Sequence, residues 1–164
     1  MVRIHRRWNI FLRKKRGDQV GLTKRGKGTK IMLCTDGAGV PLAVLTESAS
    51  RSEVRLIEPL IEKVTLQNRQ PARLLYDKAG NSDELRYRME DRSIDFISPH
   101  RSNRVRPRIQ DGRKLRRYRR RWKVERSIAW LHNYRRIVTR WEYHAHLFQS
   151  FVELACLFTI LKRY

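Results

Sequence analysis

The chain has 164 residues, 40% of them hydrophobic, with 38 Lys or Arg against 16 Asp or Glu and a formal net charge of +22. That length holds one hydrophobic core, and the apolar fraction excludes a disordered basic tail. The charge predicts a polyanionic partner, nucleic acid before anionic membrane, and the predominance of Arg suits phosphate forks and stacking.

Only two cysteines occur, Cys34 and Cys156, each in an apolar run, so both are expected as reduced, buried thiols. The five histidines form no zinc pattern. The N-terminus has no apolar signal core, and "LFQSFVELACLFTILKRY" is short for a membrane span and carries Glu153. A buried helix and a cytoplasmic, nucleoid-associated protein are expected.

Residues 1–30 hold eleven bases and one acid, residues 31–97 nine and eleven, and residues 98–126 thirteen and two. A near-neutral body between two basic blocks follows. "GLTKRGKGTK" falls short of a phosphate-binding loop, because Gly28 stands where a hydroxyl should bind magnesium and a strand follows instead of a helix. A flexible basic loop is expected there, with Lys24, Arg25 and Lys27 touching nucleic-acid backbone. "TKIMLCTDGAGVPLAVLTES" reads as a β-hairpin turning at "DGAG", with Gly37 and Gly39 free to take positive φ and Asp36 as a turn residue.

"SASRSEVRLIEPLIEKVTL" reads as a helix with a Ser50–Glu53 capping box and a kink or split at Pro59. "ARLLYD" is a buried strand with Asp77 at its carboxyl end, where open α/β sheets form sites; a cap or loop aspartate is the plainer reading. A helix capped by Asn81 or Ser82 follows, then the strand "IDFISP", a polar loop over 100–114, helix from about Leu115 to Arg140, and a final helix. Leu74, Leu75, Ile94, Phe96, Trp130, Phe151, Leu154, Phe158 and Leu161 are the expected core. The order predicts one mixed α/β sheet covered by helices.

"RKLRRYRRRWKVERSIAW", residues 113–130, holds nine bases and one acid, Glu125. On a helix Tyr118, Arg121, Glu125 and His132 fall within a wedge of roughly 60°. Local ion pairing is one account of the lone carboxylate. The other joins metal and phosphate binding: a hard divalent ion takes carboxylate oxygens, and the bases neutralise the strand being cut.

These stretches, with "LLYDKAGNSD", "ISPHRSNR" and "FVELACLFTIL", resemble the DDE-type transposases of bacterial insertion sequences, built on a ribonuclease H-like catalytic core. The resemblance runs from about Val20 to Tyr164 and rests on the Tyr118–Arg121–Glu125 spacing of the family's Tyr-Arg-Glu-Lys signature. It implies Asp77 and Glu125 as catalytic metal ligands for Mg²⁺ or Mn²⁺. It implies Tyr118 and Arg121 near DNA phosphate at the cleavage site; His132, where the signature has Lys, is expected to meet phosphate when protonated, and the neighbouring bases Arg119, Arg120 and Lys123 are expected on DNA. The activity implied is cleavage at element ends and strand transfer into target DNA, by a homodimer.

Three departures accompany it. The expected first strand, "HRRWNIFLRKKRGDQVG", carries no catalytic Asp, and Trp8 and Asn9 occupy that neighbourhood. His132 replaces the signature Lys, and "AGNS" after "DK" is slighter than usual. Residues 1–19 are therefore read as a basic segment with a degenerate first strand, and residues 20–164 as the catalytic core. The chain is expected to be a truncated or frameshifted portion of a transposase. A non-catalytic DNA-binding remnant, or an inhibitor of transposition, is the alternative. A basic protein of a ribonucleoprotein would explain the charge but not the helical register.

Overall fold

The computed structural model describes residues 2–5, 17–24, 26–64, 70–105, 107 and 109–162, with the backbone alone at Val2–His5 and Arg119–Arg121. It is the mixed α/β arrangement expected of a ribonuclease H-like core. Six strands form one sheet: β1 (Val2–His5), β2 (Gly21–Thr23), β3 (Gly26–Thr35), β4 (Pro41–Ser48), β5 (Arg73–Leu75) and β6 (Asp95–Ile97). β4, β3, β1, β5 and β6 lie side by side in that order, and β2 pairs with the first residues of β3. β3 runs antiparallel to both β4 and β1, whereas β1, β5 and β6 are mutually parallel.

The long hairpin is as expected. At its turn Asp36 Oδ1 accepts from the backbone N–H groups of Ala38 and Val40, each at 2.8 Å. Gly39 takes the positive φ, at 89°, and Gly37 does not. "GLTKRGKGTK" is a hairpin and not a flexible loop: Leu22 pairs with Lys27, and Gly26, at φ 122°, allows the tight reversal.

Period-two alternation splits the core in two. Ile31 and Leu33 of β3 pack with one set of helices, while Met32 and Cys34 pack with the other. The second set includes α1 (Val54–Glu62) and α2 (Asp83–Asp91), which bury Leu56, Ile57, Leu60, Ile61, Leu85 and Met89 against Leu74, Tyr76 and Phe96. Each such side chain contributes about 1.5–3 kcal/mol. The other face meets α4 (Trp122–Leu131) and α6 (Ala145–Leu161), through Val124, Ile128, Leu131, Phe148, Val152 and Ala155. The two short helices are α3 (Gly112–Leu115) and α5 (Arg135–Val138).

Several local expectations are corrected. Pro59 does not split α1, because it and Arg55, whose carbonyl loses its partner, both face solvent. Glu53 makes no capping box; it turns inward, accepts from the Tyr76 hydroxyl at 2.9 Å and meets Lys30 Nζ at 3.4 Å. A buried tyrosine hydroxyl needs such an acceptor. Ser82, not Asn81, caps α2, accepting from Leu85 N–H.

The span from Leu115 to Arg140 is no single helix. Arg116–Arg121 is 3₁₀, α4 follows, and the chain breaks at His132–Tyr134 before α5. Six residues with five like charges gain little from α-helical i,i+4 neighbours. Asn133 favours the break. Beyond α5 the chain is pinned by Arg140, 1% exposed, which donates to Thr29 Oγ1 and to the carbonyls of Glu142 and Tyr143.

The core expectation fails at the outer side of α6, where Leu154, Phe158 and Leu161 are 45%, 45% and 58% exposed. Trp130 and Phe151 are half-buried because each lies under a guanidinium, Arg126 and Arg136 respectively. Leu74, Leu75, Ile94 and Phe96 are buried as expected.

Candidate active site

Asp77 follows β5 in extended conformation, with φ −79° and ψ −178°. Alternation therefore carries through Tyr76: Leu74 and Tyr76 face α1 and α2, so Leu75 and Asp77 face the side covered by α4 and α6. The pairing agrees, since Leu75 is level with Arg3, Arg3 with Thr35, and Thr35 shares the face of Leu33.

Local bonds fix the aspartate. Its Oδ1 accepts from Ala79 N–H at 2.7 Å, capping the 3₁₀ turn Lys78–Gly80, and its carbonyl accepts from Ser98 Oγ at 2.6 Å. Gly80 lies against the Tyr76 ring, where a Cβ would collide with Cδ1. The plainer cap reading of Asp77 therefore holds, and its carboxylate is half-buried just past the carboxyl end of β5.

Next to it is a polar group that sequence reasoning missed. Asn81 Oδ1 accepts from Arg86 Nη2 at 3.3 Å and lies 3.0 Å from His100 Nδ1. A guanidinium can only donate, so this amide oxygen is an acceptor and His100 Nδ1 carries its proton. Arg86 also donates to the Ser98 carbonyl at 2.5 Å; burial is the main cause of its lowered pKa. Nothing in the spacing of 81, 86, 98 and 100 announces a cluster; the turns after β5 and β6 bring them together.

Glu125 sits in the first turn of α4, half-buried. α4 packs on β1 and β3, and the 3₁₀ segment before it reaches β5. One flank of α4 grips the β3–β4 turn: Ser127 Oγ donates to Gly39 O at 2.5 Å, and Lys123 Nζ to Gly37 O at 3.2 Å. Glu125 is about 160° around the helix from both Lys123 and Ser127. That turn lies beside the start of β1, since Thr35 pairs with Arg3, whereas Asp77 leaves the opposite end of β5. Glu125 is therefore on the flank of α4 opposite the one that grips the turn.

Both groups are oxygen donors, as a hard dication requires, and magnesium is held by one or two carboxylates plus phosphate oxygens. Among the described residues there is no group of three or more His, Cys, Asp or Glu able to hold a metal. β1, Val2–His5, pairs with β5; it lies within residues 1–19, read from the sequence as a degenerate first strand, and contains no Asp. Trp8 and Asn9 lie outside the described residues.

The remaining site residues divide. Lys24 and Lys27 are exposed on the β2–β3 hairpin. Tyr118 is half-buried in the 3₁₀ segment, and His132 is half-buried just past α4, its N–H bonded to Ile128 O. Lys123 spends its ammonium on the hairpin turn. Arg25 and the side chains of Arg119, Arg120 and Arg121 lie outside the described residues. Sequence reasoning also missed the stack of Trp122, Arg126 and Trp130, in which the guanidinium is 4.9 Å from each indole; the i, i+4, i+8 spacing was its signal.

No helix among the described residues is long and apolar enough to cross a membrane. The transposase DDE domain matches residues 12–160. Over 136 residues, 79% of this chain, the sequence is 33% identical to a Burkholderia cepacia protein named as a transposase for insertion sequence element IS402. The chain spans 61% of that relative's length. No solved structure matches it. The chain belongs to the family of DDE-domain transposases of insertion sequences.

Proposed function

We propose that this chain supplies the DNA-cutting and strand-joining centre of insertion-sequence transposition, with Asp77 and Glu125 as its carboxylate pair. What supports the reading is the match to the transposase DDE domain, with Asp77 just past the carboxyl end of β5 and Glu125 in the first turn of α4, the helix that packs on the neighbouring β1 and β3. DNA is the partner, gripped by the exposed bases of the two basic blocks.

In the first step a water oxygen bonds to a phosphorus at the element end. The P–O bond to the 3′ oxygen breaks, and that oxygen leaves protonated. In the second, the freed 3′ hydroxyl oxygen bonds to a phosphorus of the target strand, the P–O bond to that strand's own 3′ oxygen breaks, and that oxygen leaves protonated, so the number of phosphodiester bonds is conserved. Asp77 and Glu125 would hold Mg²⁺ or Mn²⁺. When bound, such an ion supplies positive charge to the phosphoryl oxygens and lowers the pKa of its water. The chain's own contribution is positioning: the Ala79 N–H orients Asp77, and the Ser127–Gly39 bond holds α4 in register on the sheet.

The test is nicking of duplex DNA carrying an element end, with divalent ion. The wild-type chain should nick, and Asp77→Asn and Glu125→Gln should each abolish nicking while retaining DNA affinity. If wild-type protein binds DNA and never nicks it under these conditions, the cutting assignment fails for this chain and the DNA-binding reading replaces it.

A further inference from the structure

Leu85, Arg86 and Met89 are the buried residues of α2, and Arg86 alone among them is charged. It lies one turn into the helix, its backbone N–H bonded to Ser82 O, so its side chain leans back toward the turn that follows β5. The guanidinium carbon is 5.8 Å from the centre of the Phe96 ring on β6. Nη2 donates to Ser98 O at 2.5 Å, and Ser98 Oγ, on the same fully buried residue, donates to Asp77 O at 2.6 Å. Nη2 also donates to Asn81 Oδ1 at 3.3 Å. Asp77 and Asn81 are the two caps of the 3₁₀ turn Lys78–Gly80. Arg86 therefore holds that turn at both ends, Asp77 through Ser98 and Asn81 directly.

We infer that Arg86 is a positioning residue for Asp77: its guanidinium fixes the turn from Asp77 to Asn81, and with it the direction of the Asp77 carboxylate. The effect on metal affinity rests on the reading of Asp77 as an ion ligand; the placement itself does not. Stability does not account for a cation at this position. Taking a guanidinium out of water is costly, and an apolar side chain of similar volume in place of a buried charge is often neutral or stabilising. Arg86 is 8% exposed, and its Nε reaches no acceptor among the described residues. What the charge does supply is two short links from one nitrogen to loops that follow different strands. A ligand group held by such outer bonds keeps its orientation before the ion arrives.

Amide hydrogen exchange on the whole chain reads the placement directly, because the Ala79 N–H is bonded to Asp77 Oδ1. Arg86→Met should speed exchange at Ala79 about tenfold or more, while the amides of β3 and β4 keep their wild-type rates. Ser98→Ala, which cuts the link between Arg86 and Asp77, should do the same. Arg86→Lys, whose ammonium can offer both bonds from one nitrogen, should recover part of the protection. Mn²⁺ affinity should fall in the same order, about tenfold or more in Arg86→Met. Wild-type exchange at Ala79 in Arg86→Met, or exchange that quickens equally throughout β3 and β4, would overturn the inference. If Ala79 responds as expected and even the wild-type chain binds no Mn²⁺, the positioning stands and the reading of Asp77 as an ion ligand fails.

Discussion

Ser127 donates its hydroxyl proton to the Gly39 carbonyl at 2.5 Å, joining the helix that carries Glu125 to a turn 88 residues earlier. A Cβ on Gly39 would meet both Lys123 O and Ser127 Oγ at 2.9 Å, at a backbone φ of 89°. Gly39→Ala is therefore expected to cost about 1–3 kcal/mol and Ser127→Ala about 1 kcal/mol. Urea denaturation measures both. Equal stability of Gly39→Ala and wild type would mean that α4 is not seated on this turn.

The inward Glu53 depends on Tyr76. Removing the hydroxyl in Tyr76→Phe leaves a carboxylate, 7% exposed, with Lys30 but without its 2.9 Å donor. Loss of a hydrogen bond to a charged group costs about 1.5–3 kcal/mol. A thermal melt unchanged from wild type would show that Glu53 finds another donor or water.

Asp95 joins β6 to β5 and α3 through Arg73 Nε at 3.0 Å and Lys114 Nζ at 2.7 Å. Burial pushes its pKa up, but the hydrogen bonds and charges of Lys114 and Arg73 outweigh this and hold it below the usual carboxylate value. A depressed folded pKa stabilises above the unfolded value of about 3.9 and is lost as pH falls through the folded one. Asp95→Asn should thus be less stable than wild type at neutral pH, with the difference shrinking below about pH 4. A difference constant with pH would contradict the ion-pair account.

Cys34 is fully buried, and burial raises its thiol pKa far beyond neutrality. Burial, and then Glu153, push the Cys156 thiol up to about 12. Neither should react with a thiol reagent in the native protein at pH 7, and both should react once it is unfolded. Fast labelling of one thiol would show that its helix or strand opens readily.

Much of this was legible in short-range pattern. The hairpin turn, the Asp36 role, and the short strands just ahead of Asp77 and Pro99 follow from alternation and turn chemistry. Leu154, Phe158 and Leu161 misled because α6 is apolar over most of its circumference, so periodicity alone does not say which side meets the sheet. Glu53 misled because its cap spacing was local, whereas its partner Tyr76 is 23 residues away. The cluster of Asn81, Arg86, Ser98 and His100 was invisible for the same reason: parallel strands bring together loops that share no sequence signal.

The central claim is that Asp77 and Glu125 form one divalent-ion site, and Mn²⁺ titration by calorimetry tests it without requiring turnover. The account predicts saturable binding by the wild-type chain, lost in Asp77→Asn and equally in Glu125→Gln, with both variants keeping the wild-type fold. Wild-type affinity in either variant would show that the two carboxylates do not share an ion.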